Sequence, residues 1–413
     1  MKVALTVTLI FFNLGLCFGK QLHVGKSHSF QSIKAAVKAA MPHDTVYIHA
    51  GDYKENTIIL DKPIKLVGLG NPVIDAEKLQ KELLVIAADS VLVEGLVLTN
   101  VGVSYLNELS AIKVKNGKFG IIRNNEIRSC FFGIYLGYAS DFTISNNKIS
   151  GDAEEEGSAG NALHVWKAKR IEVAHNRVTG HRDGIYFEFV DHSNIHHNVS
   201  EDNIRYGLHF MFSNDDKYHQ NVFKNNGAGV AVMFSRHITM TKNKFVNNWG
   251  GASYGLLLKE ISDGSITENE FNKNTIGILA EGANRLLINK NEFVLNGTAL
   301  DIKGNCLDNT IIKNNFIANT FEVVTNTNQN KNSYDLNYWS NYKGYDLNRD
   351  GIGEEPYRPV SLYAKITSEI PAASLLLHSF VVGLIDFTES VIPQIIPAEL
   401  IDKHPKMEPF DYD

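Results

Sequence analysis

His209, Met211 and Met233 are the residues of this chain best suited to chemistry of their own. Met211 lies two positions beyond His209, and Met233 lies 22 residues beyond Met211. If each segment is a strand and such segments stack at that interval, the imidazole and both thioethers share one face, with the methionines roughly 4.8 Å apart. Two thioethers and an imidazole make a soft donor set, suited to Cu(I) rather than to Mg2+ or Ca2+. Glu188, one interval earlier, would serve as a fourth ligand or as a group that orients one. The same methionines also suit an adaptable contact surface for a protein partner. The residue types alone leave both readings open.

The interval itself comes from an asparagine series. Asn125, Asn147, Asn176, Asn198, Asn221, Asn243, Asn269, Asn291 and Asn314 are separated by 22, 29, 22, 23, 22, 26, 22 and 23 residues. A period in the low twenties marks a solenoid in which each repeat is one coil. Two positions after most of these asparagines stands a bulky apolar residue, such as Ile127, Ile149, Phe223, Phe245 or Phe271. Gly-apolar-x-apolar segments begin at Gly133, Gly184, Gly207, Gly229, Gly255 and Gly277. The expected fold is all-β, a right-handed parallel β-helix with coils of about 22 residues. Its asparagines would hydrogen-bond along the axis as a stacked turn ladder.

Strand alternation then separates the two faces. Ile134/Leu136, Leu163/Val165, Ile185/Phe187, Leu208/Phe210, Val230/Val232 and Leu256/Leu258 point inward. Outward runs one column of Tyr135, His164, Tyr186, His209 and Ala231, and a second of Gly137, Trp166, Glu188, Met211, Met233 and Lys259. A solvated strand face carries Thr, Lys, Glu and Ser. This one fits a contact surface, with His164, Trp166 and Tyr186 facing a partner, or else burial under a loop. Met240 aligns with inward Ile144, Ile195, Ile266 and Ile288 and is assigned to the core.

Nine of the fifteen histidines fall between His164 and His237, so a second site is worth weighing. His196 and His219 share an outward register, as do His175 and His197. They fit either another metal site or turn residues hydrogen-bonded to neighbours. Asp346, Asn348, Asp350 and Gly351 match the first half of a calcium loop, although Tyr357 stands where the bidentate acid belongs. Calcium binding and a rigid turn both fit. For a hydrolase or lyase, Asp183, Glu188, Lys259 and Glu281 are the best candidates, yet Met211 and Met233 occupy the coils between them. No catalytic residue is assigned, and the chain is read as a non-enzyme. The alternative is a carbohydrate-active or carbohydrate-binding β-helix protein of lyase or epimerase type, with Trp166, Tyr186 and Glu188 as its groove.

Around the coils, residues 1–19 have the form of an export signal, with Lys2, an apolar run Val3–Leu16 and small Gly19. Residues 20–75 read as an N-terminal cap, with a helix over Phe30–Ala40 and strands Thr45–His49 and Ile64–Val67. The β-helix is expected over 76–325, with loops bulging at Gly151–Gly160 and Trp249–Ser253. Residues 326–372 form a Tyr/Gly-rich region. Residues 373–413 are an apolar segment in which Pro393 and Pro397 argue against a membrane span. It fits docking onto a partner or membrane surface, or capping of the last coil. Cys130 and Cys306 lie about eight coils, on the order of 38 Å, apart. A disulfide needs Cα atoms within about 7 Å, so they are expected to be unpaired. A net charge of −6 and a pI near 6.2 argue against nucleic acid as a partner.

The runs GLHFMFSNDD (207–216), GAGVAVMFSR (227–236), YGLLLKEISDGSITEN (254–269) and NYWSNYKGYDLNRDGIGEEPYRP (337–359), with the tail Ile401–Met407, resemble the NosD family. The resemblance implies a periplasmic accessory protein of nitrous oxide reductase maturation, held at the inner membrane through a permease. It implies transient Cu(I) as cargo. The implied partners are an ABC-type permease with its cytoplasmic ATPase, a small copper chaperone and the reductase apoprotein. It carries over His209, Met211 and Met233 as matching positions, not as an established ligand set.

Overall fold

Short apolar strands joined by Asn- and Gly-rich bends stack into three long sheets. The computed structural model describes residues 19–104, 106–327, 331–377, 379–391 and 400–412. The sheets have 14, 12 and 13 strands, and neighbouring strands within them pair in parallel from successive coils. The expected parallel β-helix is the observed fold. Ile185 pairs with Leu208, Leu208 with Val230 and Val230 with Leu256, so the inward column is a continuous apolar stack with each member fully buried.

Each bend requires the residue before its asparagine to adopt a left-handed conformation, seldom taken by L residues: φ is 58° at His175, 53° at His197 and 54° at Gln220. The ladder offsets that cost. The backbone N–H and Nδ2 of Asn198 both donate to Oδ1 of Asn221 at 3.0 Å, and Nδ2 also donates to Val173 O at 2.8 Å. Asn221 repeats the pattern onto Asn243 at 3.0 Å. A second ladder, outside the sequence expectation, runs through Asn203, Asn226, Asn248, Asn274, Asn296 and Asn319. Between the ladders, Phe245, Phe271, Phe293, Phe316 and Trp339 stack with ring centroids 4.6, 4.8, 4.9 and 4.1 Å apart.

Met240 is fully buried between its register partners Tyr218 and Ile266, as the alternation implied. Met240→Leu conserves volume and is expected to cost less than about 1.5 kcal/mol in a denaturant titration.

The coils overrun the expected span of 76–325 at both ends. Strands begin at Gln21–Val24 and continue through Lys331–Asp335 to Tyr338–Trp339. Helix α1 (Ile33–Ala39) buries Ile33, Ala36 and Val37 at the first coil; Ser32 Oγ accepts from Ala35 N, and Glu55 accepts from the N–H groups of Ile33 and Lys34. At the other end stand α2 (Leu362–Glu369) and α3 (Phe380–Val391). No helix among the described residues is long and apolar enough to cross a membrane.

Residues 400–412 correct the reading of 373–413 as one docking segment. They return to the last coil, bridging Tyr334 to Asp402 and Tyr338 to Lys406, because that coil otherwise ends with unpaired ladder donors. The expected export signal, apart from Gly19, and the stretch holding Pro393 and Pro397 lie outside the described residues. Cys130 and Cys306 are free and buried, and burial pushes the Cys130 thiol up to about 12.

Candidate metal centre

The 12-stranded sheet presents the outward columns, and its strands Asp183–Asp191, Tyr206–Met211, Ala228–Met233 and Leu256–Lys259 carry the candidate residues. Met211 is the register partner of Met233, with Glu188 on the coil before and Lys259 on the coil after. The glycine column sets this close stacking: a Cβ on Gly229 would lie 2.3 Å from Gly255 O. Serines hold the strand ends. Ser213 Oγ donates to Met211 O at 2.9 Å and accepts from Val190 N at 3.1 Å, while Ser235 Oγ donates to Met233 O at 2.9 Å and accepts from Ser213 N at 3.1 Å.

His209 points outward from its strand yet is only 4% exposed. Its ring stands between Tyr186, centroids 5.0 Å apart, and Tyr206 at 4.8 Å. Tyr254 extends the cover, its hydroxyl 3.3 Å from that of Tyr206. The Nδ1 edge of His209 faces Asp183 Oδ2 at 3.9 Å, and neither ring nitrogen has a hydrogen-bond partner. A buried imidazole with Nε2 free and Nδ1 turned to a carboxylate is arranged as a metal-ligating histidine usually is. An unpartnered buried polar atom otherwise costs about 1–3 kcal/mol. These observations fit a metal-ligating imidazole, with the Met211–Met233 register pair on the same strand face.

Asp183 is fully buried among cations that do not quite close on it. Arg182 Nε is 3.7 Å from Oδ2 and Arg205 Nε is 3.7 Å from Oδ1, and Oδ2 and Arg182 Nε have no hydrogen-bond partner. Arg205 also pairs with Glu156 at 3.0 Å, so the Gly151–Gly160 loop walls this cleft. Beyond His209 the outer column closes over: Ala231 and Leu257 are buried beneath Tyr254, and Met233 packs against that group. The face is therefore part half-exposed and part loop-covered.

The remaining sequence candidates divide. His164 joins the cleft, its ring 4.6 Å from Tyr186, and its Nδ1 lies 3.0 Å from Asn161 Nδ2. Burial, reinforced by the Arg182 charge, lowers its pKa to about 3, so it stays neutral at ordinary pH. Tyr186 donates to Glu188 Oε2 at 3.3 Å; burial first and then the Glu188 charge raise the phenol to about 12. Trp166 stands apart, packing edge-on to Tyr138 at 4.9 Å with Lys167 over its ring at 4.5 Å.

His175, His196 and His197 bring ligand atoms within 4.8 Å of one another, but His196 pairs with Glu172, and His219 Nε2 meets Asn194 Oδ1 at 3.1 Å. In the Asp346 turn, Asp346 accepts from the amides of Arg349, Asp350 and Gly351, Asn348 Oδ1 from Asp350 N, and Asp350 Oδ1 from Ile352 N. Sequence reasoning missed Tyr206, Tyr254 and Arg205. It also missed the stack of Phe189, Phe212 and Phe234 beside the methionines, with centroids 5.1 Å apart and rings 42%, 37% and 44% exposed. The signal was present: an aromatic follows Glu188, Met211 and Met233 in turn.

Comparison with known proteins bears on this face. The family model described as "Periplasmic copper-binding protein (NosD)" matches residues 145–344, the span that holds these residues. A probable ABC transporter binding protein NosD from Pseudomonas aeruginosa is 29% identical over 377 residues, 87% of each chain. A protein of the same description from Stutzerimonas stutzeri is 29% identical over 379 residues, covering 87% of this chain and 86% of its own. Among solved structures, the mannuronan C-5 epimerase AlgE6 A-module of Azotobacter vinelandii aligns at TM-score 0.54 and 16% identity, over 74% of this chain and 87% of its own. The catalytic unit of an α-1,3-glucanase from Streptomyces thermodiastaticus aligns at 0.60 and 13%, over 76% and 65%. At such identities these two likenesses concern the β-helix alone. The sequence relatives go further: this chain is similar to the NosD family over residues 145–344 and to two NosD proteins over most of its length.

Proposed function

We propose that this protein is a periplasmic accessory subunit that holds Cu(I) transiently on His209, Met211 and Met233 and passes it toward the copper centres of nitrous oxide reductase. The observation that carries this is the buried, unpartnered His209 imidazole on the same strand face as the register pair Met211 and Met233. Two thioethers and one imidazole favour Cu(I), and so few ligands suit a site that gives its ion up again. Asp183 orients His209 from the Nδ1 side, and Glu188 stands within the same column as an additional donor. The exposed Phe189, Phe212 and Phe234 stack offers a copper chaperone or the reductase apoprotein an apolar landing beside the site. The apolar residues Phe380, Leu384 and Phe387 of α3 are 85%, 54% and 66% exposed and suit docking on an ABC permease, whose ATPase would do the hydrolysis. The Asp346–Asp350 turn is the place a calcium ion would bind, and Ca2+ raising the melting temperature would support that.

Anaerobic Cu(I) titration against a competing chelator tests the site. Met211→Ala with Met233→Ala should weaken binding by more than about 100-fold, and Asp183→Asn, which removes the charge facing His209 Nδ1, by about 10–100-fold. Unchanged affinity in the double variant overturns the assignment. One observation favours a second reading: the cleft of Asp183, Arg205, Tyr186 and Tyr206, with its unpartnered polar atoms, has the make-up of a sugar-binding groove. Activity on uronic-acid polymers that disappears in Asp183→Asn would select it.

A further inference from the structure

A separate cluster of imidazoles lies at the N-terminal cap, on elements the proposed copper face does not use. His23 is on the first strand, His28 in the turn that follows, and His49 at the end of strand Thr45–His49. One ring nitrogen from each lies within 4.8 Å of the others, and His23 Nδ1 is 2.9 Å from His49 Nε2. The His28 and His49 rings stack with centroids 3.7 Å apart, and His23 lies 5.2 Å from His49.

The backbone is shaped for this convergence. Gly25 N donates to Phe30 O at 2.8 Å, His28 N to Gly25 O at 3.0 Å, and Phe30 N to His23 O at 3.2 Å, which folds the turn back over the strand. A Cβ at Gly25 would stand 2.9 Å from His28 Cδ2 and 3.4 Å from the Cβ of His49, so any larger residue at 25 would push the His28 ring from its present place. Tyr53 fixes the far strand, its hydroxyl donating to His49 O at 2.7 Å.

We infer that His23, His28 and His49 form a second metal site, a three-imidazole site for a borderline divalent cation of the Zn2+ or Cu2+ class. Two ring nitrogens 2.9 Å apart share either a proton or a cation. In a tetrahedral site with metal–nitrogen bonds of about 2.0–2.1 Å, ligand nitrogens sit roughly 3.4 Å apart, so the stacked His28 and His49 rings would turn to aim both lone pairs at one ion. The donor set is all nitrogen, so its preference differs from that of the thioether face. An ion here would tie the first strand, its turn and the second strand together at the N-terminal end of the solenoid. The fourth position stays open to water or a partner's ligand.

The test is Zn2+ titration of the protein by calorimetry, with the visible spectrum of the Co2+ form as a second readout. One equivalent of Zn2+ should bind, raise the melting temperature, and bind equally well to the Met211→Ala, Met233→Ala double variant. His28→Gln and His49→Gln should each weaken binding at least about tenfold and abolish the tetrahedral Co2+ band. Gly25→Ala, which touches no ligand atom, should weaken it too by displacing the His28 ring, and it decides the matter if a histidine variant folds poorly. Undiminished binding in His28→Gln, or loss of binding on replacing His175 and His197 instead, overturns the proposal.

Discussion

Asp402→Ala is expected to destabilise the C-terminal coil by about 3–6 kcal/mol, the larger of two effects expected outside the metal sites. Asp402 is fully buried, and one carboxylate oxygen takes three donors. Asn337 N and Nδ2 reach Oδ2 at 3.0 Å each, and Trp339 Nε1 reaches it at 2.9 Å. Oδ1 accepts from His404 N at 3.1 Å. Asn314 donates to Asn337 in the ordinary ladder pattern, so Asp402 stands where the next asparagine would be and closes the series. Removing the carboxylate leaves three buried donors facing nothing, at about 1–3 kcal/mol apiece before relaxation. Asp402→Asn keeps one acceptor oxygen and should cost only about 1–2 kcal/mol. With Trp166 and Trp249 replaced by phenylalanine in parent and variants, Trp339 fluorescence during urea unfolding reports this coil, which matters because long repeat arrays need not unfold as one unit. An alanine variant within about 1 kcal/mol of the parent would refute the capping role.

Asp216→Asn is expected to act in the opposite direction. Asp216 is fully buried, accepting from Ser193 N at 2.7 Å and from the Tyr218 hydroxyl at 3.3 Å. Burial raises its carboxyl to about 8, with the Asp191 and Asp215 charges adding to the effect. The folded state therefore prefers the protonated acid, whereas the unfolded chain ionises near about 4. Between those values unfolding releases a proton, so the unfolded state binds fewer protons and stability falls as pH rises. The contribution is fully present below about pH 4 and is lost by about pH 8. Asparagine keeps the oxygen for Ser193 N, can donate to the Tyr218 oxygen, and carries no charge to bury. It should stabilise the protein at pH 8 by an amount on the order of 2–5 kcal/mol and flatten the pH slope. Glu322, also raised by burial to about 7, remains in both proteins, so the difference between them isolates Asp216. Melting curves at pH 5 and pH 8 with parallel slopes in parent and variant would sink this account.

Much of the candidate site was legible before any coordinates. The asparagine interval placed Met211 beside Met233 and put Met240 in the core, and both placements hold. The cleft around His209 was only half legible. Its outward register followed from alternation, but its burial depends on Tyr206 and Tyr254, and Tyr254 is carried there by the loop that interrupts the period. Asp183 was weighed only as a candidate for a hydrolase or lyase site; its approach to Nδ1 of His209 depends on side-chain direction, which a period does not specify.

The chain's own order thus determines everything that lies on the repeat lattice. In an in-register parallel stack, each residue's neighbours along the axis are those one period away, so one spacing settles the core, the ladder and the shared face of Met211 and Met233. What only the tertiary structure decided lies off that lattice. His23, His28 and His49 meet because a turn doubles back over a strand. Asp402 reaches Asn337 because a segment 65 residues later returns to the last coil. Such contacts are set by the path of loops and by unmet hydrogen bonds at the solenoid's ends, and no periodicity encodes either.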